Sequence, residues 1–135
     1  MPDSATILSS KLSLYGISSG VAAPQGNSTG TDNSAWLKRL TTDWNPDSVT
    51  WNNKPSEIDM NEVAVAASTS VWNYNVLNLD VTKLVDDLLN DNNYGFALEG
   101  QTEQIYRAMS FTSCKVSDPT KRPKLVVVYE IYKHH

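Results

Sequence analysis

Trp72-Asn73-Tyr74-Asn75 places two large aromatic rings and two amides in one short stretch, followed by Val76-Leu77-Asn78-Leu79. In an extended chain side chains alternate with a period of two, so Trp72, Tyr74 and Val76 share one side and Leu77 and Leu79 the other. If Leu77 and Leu79 face the core, as their position before a helix suggests, the two rings stand on the outer side and are either covered by another segment or exposed. Exposed rings are flat apolar platforms, and Asn73, Asn75 and Asn78 beside them can hydrogen-bond hydroxyl groups. The competing reading is that Trp72 packs over a sheet edge or loop. Trp36 is a second candidate: it shares a strand face with Lys38 and Leu40, opposite Ala35, Leu37 and Arg39, and the pattern leaves open which face is buried.

Residues suited to covalent or acid–base chemistry are scarce. The two histidines are His134 and His135, the last two residues, whose position is that of a tag remnant. A frayed tail does not hold an imidazole against a nucleophile, as Ser-His-Asp or Cys-His catalysis requires. Glu99 and Glu103 are separated by Gly100-Gln101-Thr102 and are read as a solvated turn rather than a glycosidase dyad. Cys114 stands alone, without the second cysteine that a disulfide or Cys-x-x-Cys pair needs, and reads as a half-buried thiol following a strand. The Asp/Asn run from Asp86 to Asn93 fits no calcium-loop spacing and is read as a solvated helix end. The expectation is a noncatalytic chain with no cofactor and no metal.

Charge and hydropathy narrow the partners further. Eleven Lys and Arg, never more than two in succession, face fifteen Asp and Glu for a formal charge of −4. The chain lacks the cationic stripe that nucleic acid or an anionic membrane would select. The longest apolar runs, such as Leu125 to Val128, fall far short of the ~20 residues that span a bilayer. The 135 residues suit one domain that buries roughly two thirds of its unfolded surface, with short tails at residues 1–6 and 133–135. No internal repeat or composition shift marks a second unit. The N-terminal residues carry no secretion signal, and the start is expected to be that of a trimmed chain.

The elements that would position these residues are mostly strands. Short β-prone runs lie between Gly, Pro, Asn and Ser breaks, as in sandwiches and barrels. Strands are expected at about Ile7 to Tyr15, Ala35 to Leu40, Ser48 to Trp51, Glu62 to Ala66, Val76 to Leu79, Gly95 to Glu99, Arg107 to Ser113 and Lys124 to Ile131. The Gly/Ser/Thr-rich stretch between Tyr15 and Ala35 should be a long surface loop. One helix, Val81 to Asn90, is predicted from Val81, Leu84, Val85, Leu88 and Leu89 on one face, with Asp80 as N-cap and Asn92-Asn93-Tyr94-Gly95 ending it. It should lie as a lid across one end or edge of an antiparallel, jelly-roll-like β-sandwich.

Four segments, in order, carry a family resemblance. Ile7-Leu8-Ser9-Ser10-Lys11-Leu12-Ser13-Leu14-Tyr15 resembles the "I-x-S-A-x-L-S-L-Y" strand of DNRLRE domains, β-sandwich modules related to an alginate-binding carbohydrate-binding family and to archaeal disaggregatase-related repeats. Trp44 to Pro55 is similar to their "W-x-x-x-x-V-T-W-x-x-x-P" segment. Leu79-Asp80-Val81-Thr82-Lys83-Leu84-Val85 and Asn93-Tyr94-Gly95-Phe96-Ala97-Leu98 resemble "D-V-T-x-x-V" and "N-x-G-x-x-L". Phe111-Thr112-Ser113 with Arg122-Pro123-Lys124-Leu125-Val126-Val127-Val128-Tyr129 resembles the "F-x-S…R-P-x-L-x-V-x-Y" ending. Leu88 stands where the family's helix usually carries Trp, and only six residues precede Ile7, so the chain is expected to lack the family's N-terminal strands.

The resemblance implies a noncatalytic module of the cell exterior or surface, binding polysaccharide or mediating adhesion. It makes Trp72, Tyr74, Asn73 and Asn75 the first candidate sugar platform and Trp36 the second, with Trp44 and Trp51 as packing wedges under a loop. A sandwich short of strands also exposes backbone that another chain can complete. The alternative is therefore a structural subunit of a filament, sheath or virion, joined by strand exchange with a partner polypeptide.

Overall fold

The computed structural model describes residues 5–17, 32–69, 74–101 and 111–131. Six strands and one helix run in the order β1 (Ala5–Leu14), β2 (Ala35–Leu40), β3 (Glu57–Val65), β4 (Val76–Asp80), α1 (Thr82–Asn90), β5 (Phe96–Gly100) and β6 (Lys124–Ile131). They form two antiparallel three-stranded sheets, β4-β1-β6 and β3-β2-β5. The fold is an all-β sandwich with one short helix, as the pattern of short strands and turn residues predicts.

Apolar side chains from both layers meet between the sheets. Leu12 and Val76 come from the first sheet, Ala35, Leu37 and Val65 from the second, and Val81, Leu84 and Val85 from the start of α1 and the residue before it. The helix touches β1 on one side and β2 and β3 on the other, so it bridges the two layers. Its apolar face is Leu84, Val85 and Leu88; Leu89, assigned to that face by spacing, is exposed. Two bonds anchor its first turn to β1: Val81 N–H donates to the Ser10 carbonyl at 2.9 Å, and Ser10 N–H donates to Thr82 Oγ1 at 3.0 Å. The helix cap is Val81 rather than Asp80, yet the Asp80 carboxylate still accepts from Thr82 N–H, at 3.1 Å. The Thr82 hydroxyl also donates to this carboxylate, at 2.6 Å, and the two bonds from Thr82, with Lys11 nearby, hold the Asp80 carboxyl below its ordinary range.

The alternation expected of β4 is reversed at Val76 and Leu77 but holds at Leu79. Val76 is buried and Leu77 is exposed, while Leu79, three residues on, also packs against the core. Asn78 has φ +55°, and the ladder with β1 shifts between Leu12↔Leu79 and Leu14↔Val76. A left-handed residue at this irregularity breaks the two-residue period, so Val76 and Leu79 both point inward.

Other boundaries differ for local reasons. Ser48 to Trp51 is not a strand: residues 46–48 form a turn, followed by a 3₁₀ turn at Trp51–Asn53. The Asn45 carbonyl accepts from Ser48 and Val49 N–H at 3.1 and 2.9 Å, and the Asn45 side chain accepts from Asp47 N–H at 2.9 Å, local bonds that compete with a ladder. Of Arg107 to Ser113, only residues from 111 on are described. Phe111 makes an isolated bridge with Gly16, and residues 112–113 are not strand. Cys114 is exposed in a turn rather than half-buried.

Candidate functional site

β2 is the central strand of its sheet, and its alternation settles which side is buried. Ala35, Leu37 and Arg39 face the interior at 4–5% exposure, where Arg39 Nη1 donates to Asp91 at 3.1 Å just past the end of α1. Trp36 and Lys38, both half-buried, therefore lie on the outer face; Leu40 shares their side by alternation but is itself buried at 5% exposure. Register extends that face to both neighbours: Trp36 lies opposite Ala64 and Glu99, Lys38 opposite Ala97, and Leu40 opposite Glu57. Trp36 is half-buried on it, flanked by the small Ala64 on one side.

β3 distorts where it passes Lys38. Leu37 pairs with Val63 and Arg39 with Ile58, so two steps along β2 are matched by five along β3. The surplus bulges out, with Asn61 at φ +61° and its side-chain amide donating to Asp87 of α1 at 2.7 Å. Asn tolerates this left-handed conformation better than most residues. The bulge brings Asp59 and Glu62 to Lys38: its ammonium is 3.1 Å from Asp59, 3.7 Å from Glu62, 3.7 Å from Glu99 of β5 and 3.9 Å from Glu57.

One ammonium thus serves four carboxylates. The hydrogen bond to Asp59 raises the Lys38 pKa above its ordinary value, with the charges of Glu99, Asp59 and Glu57 adding to it against the effect of burial. Glu57 is also raised, first by a hydrogen bond shared with Glu99, then by burial and by the Glu99 charge; Lys38 and Lys54 pull the other way. Among the described residues, no group of three or more His, Cys, Asp or Glu is arranged to hold a metal ion. The cation of this cluster is the Lys38 ammonium.

Past Lys38 the same face runs into an apolar cavity of about 220 Å³ lined by Leu40, Trp44, Val49, Pro55, Phe96 and Ala97, with Glu57 and Lys54 as its charged residues. The loop between β2 and β3 closes on itself through Thr41 N–H to the Ser56 carbonyl, 2.8 Å, and Ser56 N–H to Thr42 Oγ1, 2.8 Å. Trp44 is 39% exposed, and its indole N–H donates to the Tyr94 carbonyl at 2.6 Å. The ring is held by its polar edge while much of its surface is open. From Trp36 to Leu40 this face spans about 13 Å at strand rise.

The residues singled out from sequence fare differently. Trp36 stands on the outer face just described. Tyr74 is half-buried and packs against the core, as expected once Val76 beside it points inward. Asn75 Oδ1 accepts from Gly16 N–H at 3.0 Å and fastens the end of β1. Trp72 and Asn73 lie outside the described residues, as does Glu103. Glu99 belongs to β5 and to the Lys38 cluster, not to a solvated turn. Trp44, read as a wedge under a loop, walls an open cavity. The Lys38 cluster was not anticipated: that Lys38 shares a face with Trp36 was legible, but the bulge that delivers Asp59 and Glu62 has no simple sequence signal.

Comparison with known proteins adds one positive finding. The family model of carbohydrate-binding module family 96 matches residues 1–129. It agrees with the carbohydrate-binding part of the resemblance seen in the sequence, without reaching the DNRLRE grouping. No curated protein matches the chain.

Proposed function

Because the chain belongs to carbohydrate-binding module family 96, we propose that it is a noncatalytic extracellular or cell-surface module that binds polysaccharide on the outer face of the β3-β2-β5 sheet. The observation that carries this reading is the position of Trp36: a large aromatic on the central strand, on the side away from the core, in line with the cavity walled by Trp44. An aromatic ring offers a flat apolar surface to the C–H face of a sugar. Between the two tryptophans, Lys38 and the carboxylates around it present charged donors and acceptors, which make stronger hydrogen bonds to hydroxyls than neutral groups do.

The charge of this face selects the ligand. Four carboxylates around one ammonium repel a polyuronate and accept hydrogen bonds from a neutral glycan. The ligand class is therefore a neutral polysaccharide. The platform around Tyr74 and Asn75 is the weaker choice, since the ring packs inward and the amide is already engaged.

Native gels cast with neutral polysaccharides (glucans, mannans, xylans) or with polyuronates test this. Retardation by a neutral polymer, and none by a polyuronate, is the expected result. Retardation by polyuronates alone, or by nothing on a broad panel, contradicts it.

A further inference from the structure

β6 is the end strand of its sheet, paired on one side with β1; among the described residues nothing pairs with its other edge. Leu125, Val127, Tyr129 and Ile131 share the side of Leu12 and Ile7, and Val126 and Val128 the side of Lys11 and Ser9. Val127 packs against the core, but Leu125, Val126, Val128, Tyr129 and Ile131 are 43–48% exposed. Free edges are normally guarded by charge, proline, bulges or shortness. Along β6 the charged residues are Lys124, at its start, and Glu130, one residue from its end.

That placement makes the strand self-complementary. We propose that β6 pairs antiparallel with β6 of a second copy of this chain, with Val127 opposite Val127. In this register Lys124 faces Glu130 of the partner subunit, and the two-fold axis repeats the pair. Leu125 then meets Tyr129, and Val126 meets Val128. The neighbouring registers that keep the faces matched, centred on Val126 or on Val128, set Lys124 or Glu130 against a valine. Cross-strand charge pairs and apolar pairs of this kind select register. The two sheets join as one six-stranded sheet in the order β4-β1-β6-β6-β1-β4. The outer face of the β3-β2-β5 sheet belongs to the other layer, so pairing through β6 leaves it uncovered. If that face binds glycan, the pair is bivalent and gains avidity on a polymer, but the pairing itself does not depend on that reading.

Sedimentation equilibrium over a concentration series tests it, with far-ultraviolet circular dichroism as the control for folding. The chain is expected to dimerise reversibly. Lys124→Glu and Glu130→Lys, each alone, set like charges opposite one another twice and should weaken the dimer by about tenfold or more. The double variant Lys124→Glu/Glu130→Lys should dimerise like the parent. Mixing the two single variants should give a dimer of one chain of each, because both charge pairs are then opposite in sign. A chain that is monomeric at every concentration, single variants that associate like the parent, or a mixture that fails to pair overturns the proposal.

Discussion

Lys38 on β2 and Asp59 on β3 meet at 3.1 Å, across a ladder that slips by three residues to let them meet. An unbroken register would place a different β3 residue beside Lys38. The bulge therefore builds the charged part of the outer face, and Asn61, in a left-handed conformation and bonded to Asp87, ties that bulge to the helix. Lys38 is held above its ordinary pKa of 10.5. Its contribution to stability is complete below that value and is lost as pH rises through the folded-state pKa.

Glu57→Gln should raise stability at neutral pH. Glu57 has a folded-state pKa above its ordinary 4.5, chiefly through the hydrogen bond shared with Glu99, so the folded state holds a proton that the unfolded state has released. Stability of the parent chain then falls as pH rises from about that value through the folded-state pKa. A glutamine keeps a donor toward Glu99 without titrating. Thermal unfolding of both chains from pH 4 to pH 8 should show the variant's advantage appear as pH rises and then level off. A constant difference across that range would contradict the shared proton.

Gly16→Ala should destabilise the fold by roughly 1–3 kcal/mol. A Cβ at Gly16 would lie 2.6 Å from the Tyr74 backbone nitrogen and closer still to its carbonyl oxygen, and backbone cannot step aside as a side chain would. Displacement would also strain the Gly16 N–H bond to Asn75. Denaturant unfolding measures the cost; a change below ~0.5 kcal/mol would show that the two segments are not in contact.

Asn33→Ala should cost about 1–3 kcal/mol, and Ser68→Ala less. Asn33 and Ser68 are both buried and exchange two bonds, Nδ2 to Oγ and Ser68 N–H to Oδ1, each 2.8 Å. Losing the asparagine strands the Ser68 amide and hydroxyl; losing the hydroxyl leaves the backbone bond in place. Equal costs, or the reverse order on chemical unfolding, would argue against this pairing.

How far the sequence revealed this depends on whether the deciding pattern was local. β2 at Ala35–Leu40 and β6 at Lys124–Ile131 begin and end where alternation and turn residues say they should, and α1 buries Leu84, Val85 and Leu88 as a 3.6-residue period requires. The failures cluster at asparagines. Asn78 in a left-handed conformation sends Val76 inward and Leu77 outward, undoing the assignment of Tyr74 to an outer platform; Asn61 inserts the β3 bulge; Asn45 and Asn53 turn the segment after Trp44 away from strand. Asn tolerates left-handed and turn geometry, but a sequence rich in Asn does not say which of them adopt it; at Asn61 and Asn78 the irregularity shows only in the register with a partner strand distant in sequence. Trp36 was correctly placed with Lys38 and Leu40, but which side of β2 faces the core needed the partner strands.

Isothermal titration of Trp36→Ala against the neutral polysaccharide bound most tightly by the parent chain tests the outer-face site most directly. Trp36 is half-buried on the side away from the core, so the variant should keep its fold by circular dichroism and lose affinity at least about tenfold, some 1.4 kcal/mol of binding. A folded variant that binds as tightly as the parent would place the sugar elsewhere on the molecule.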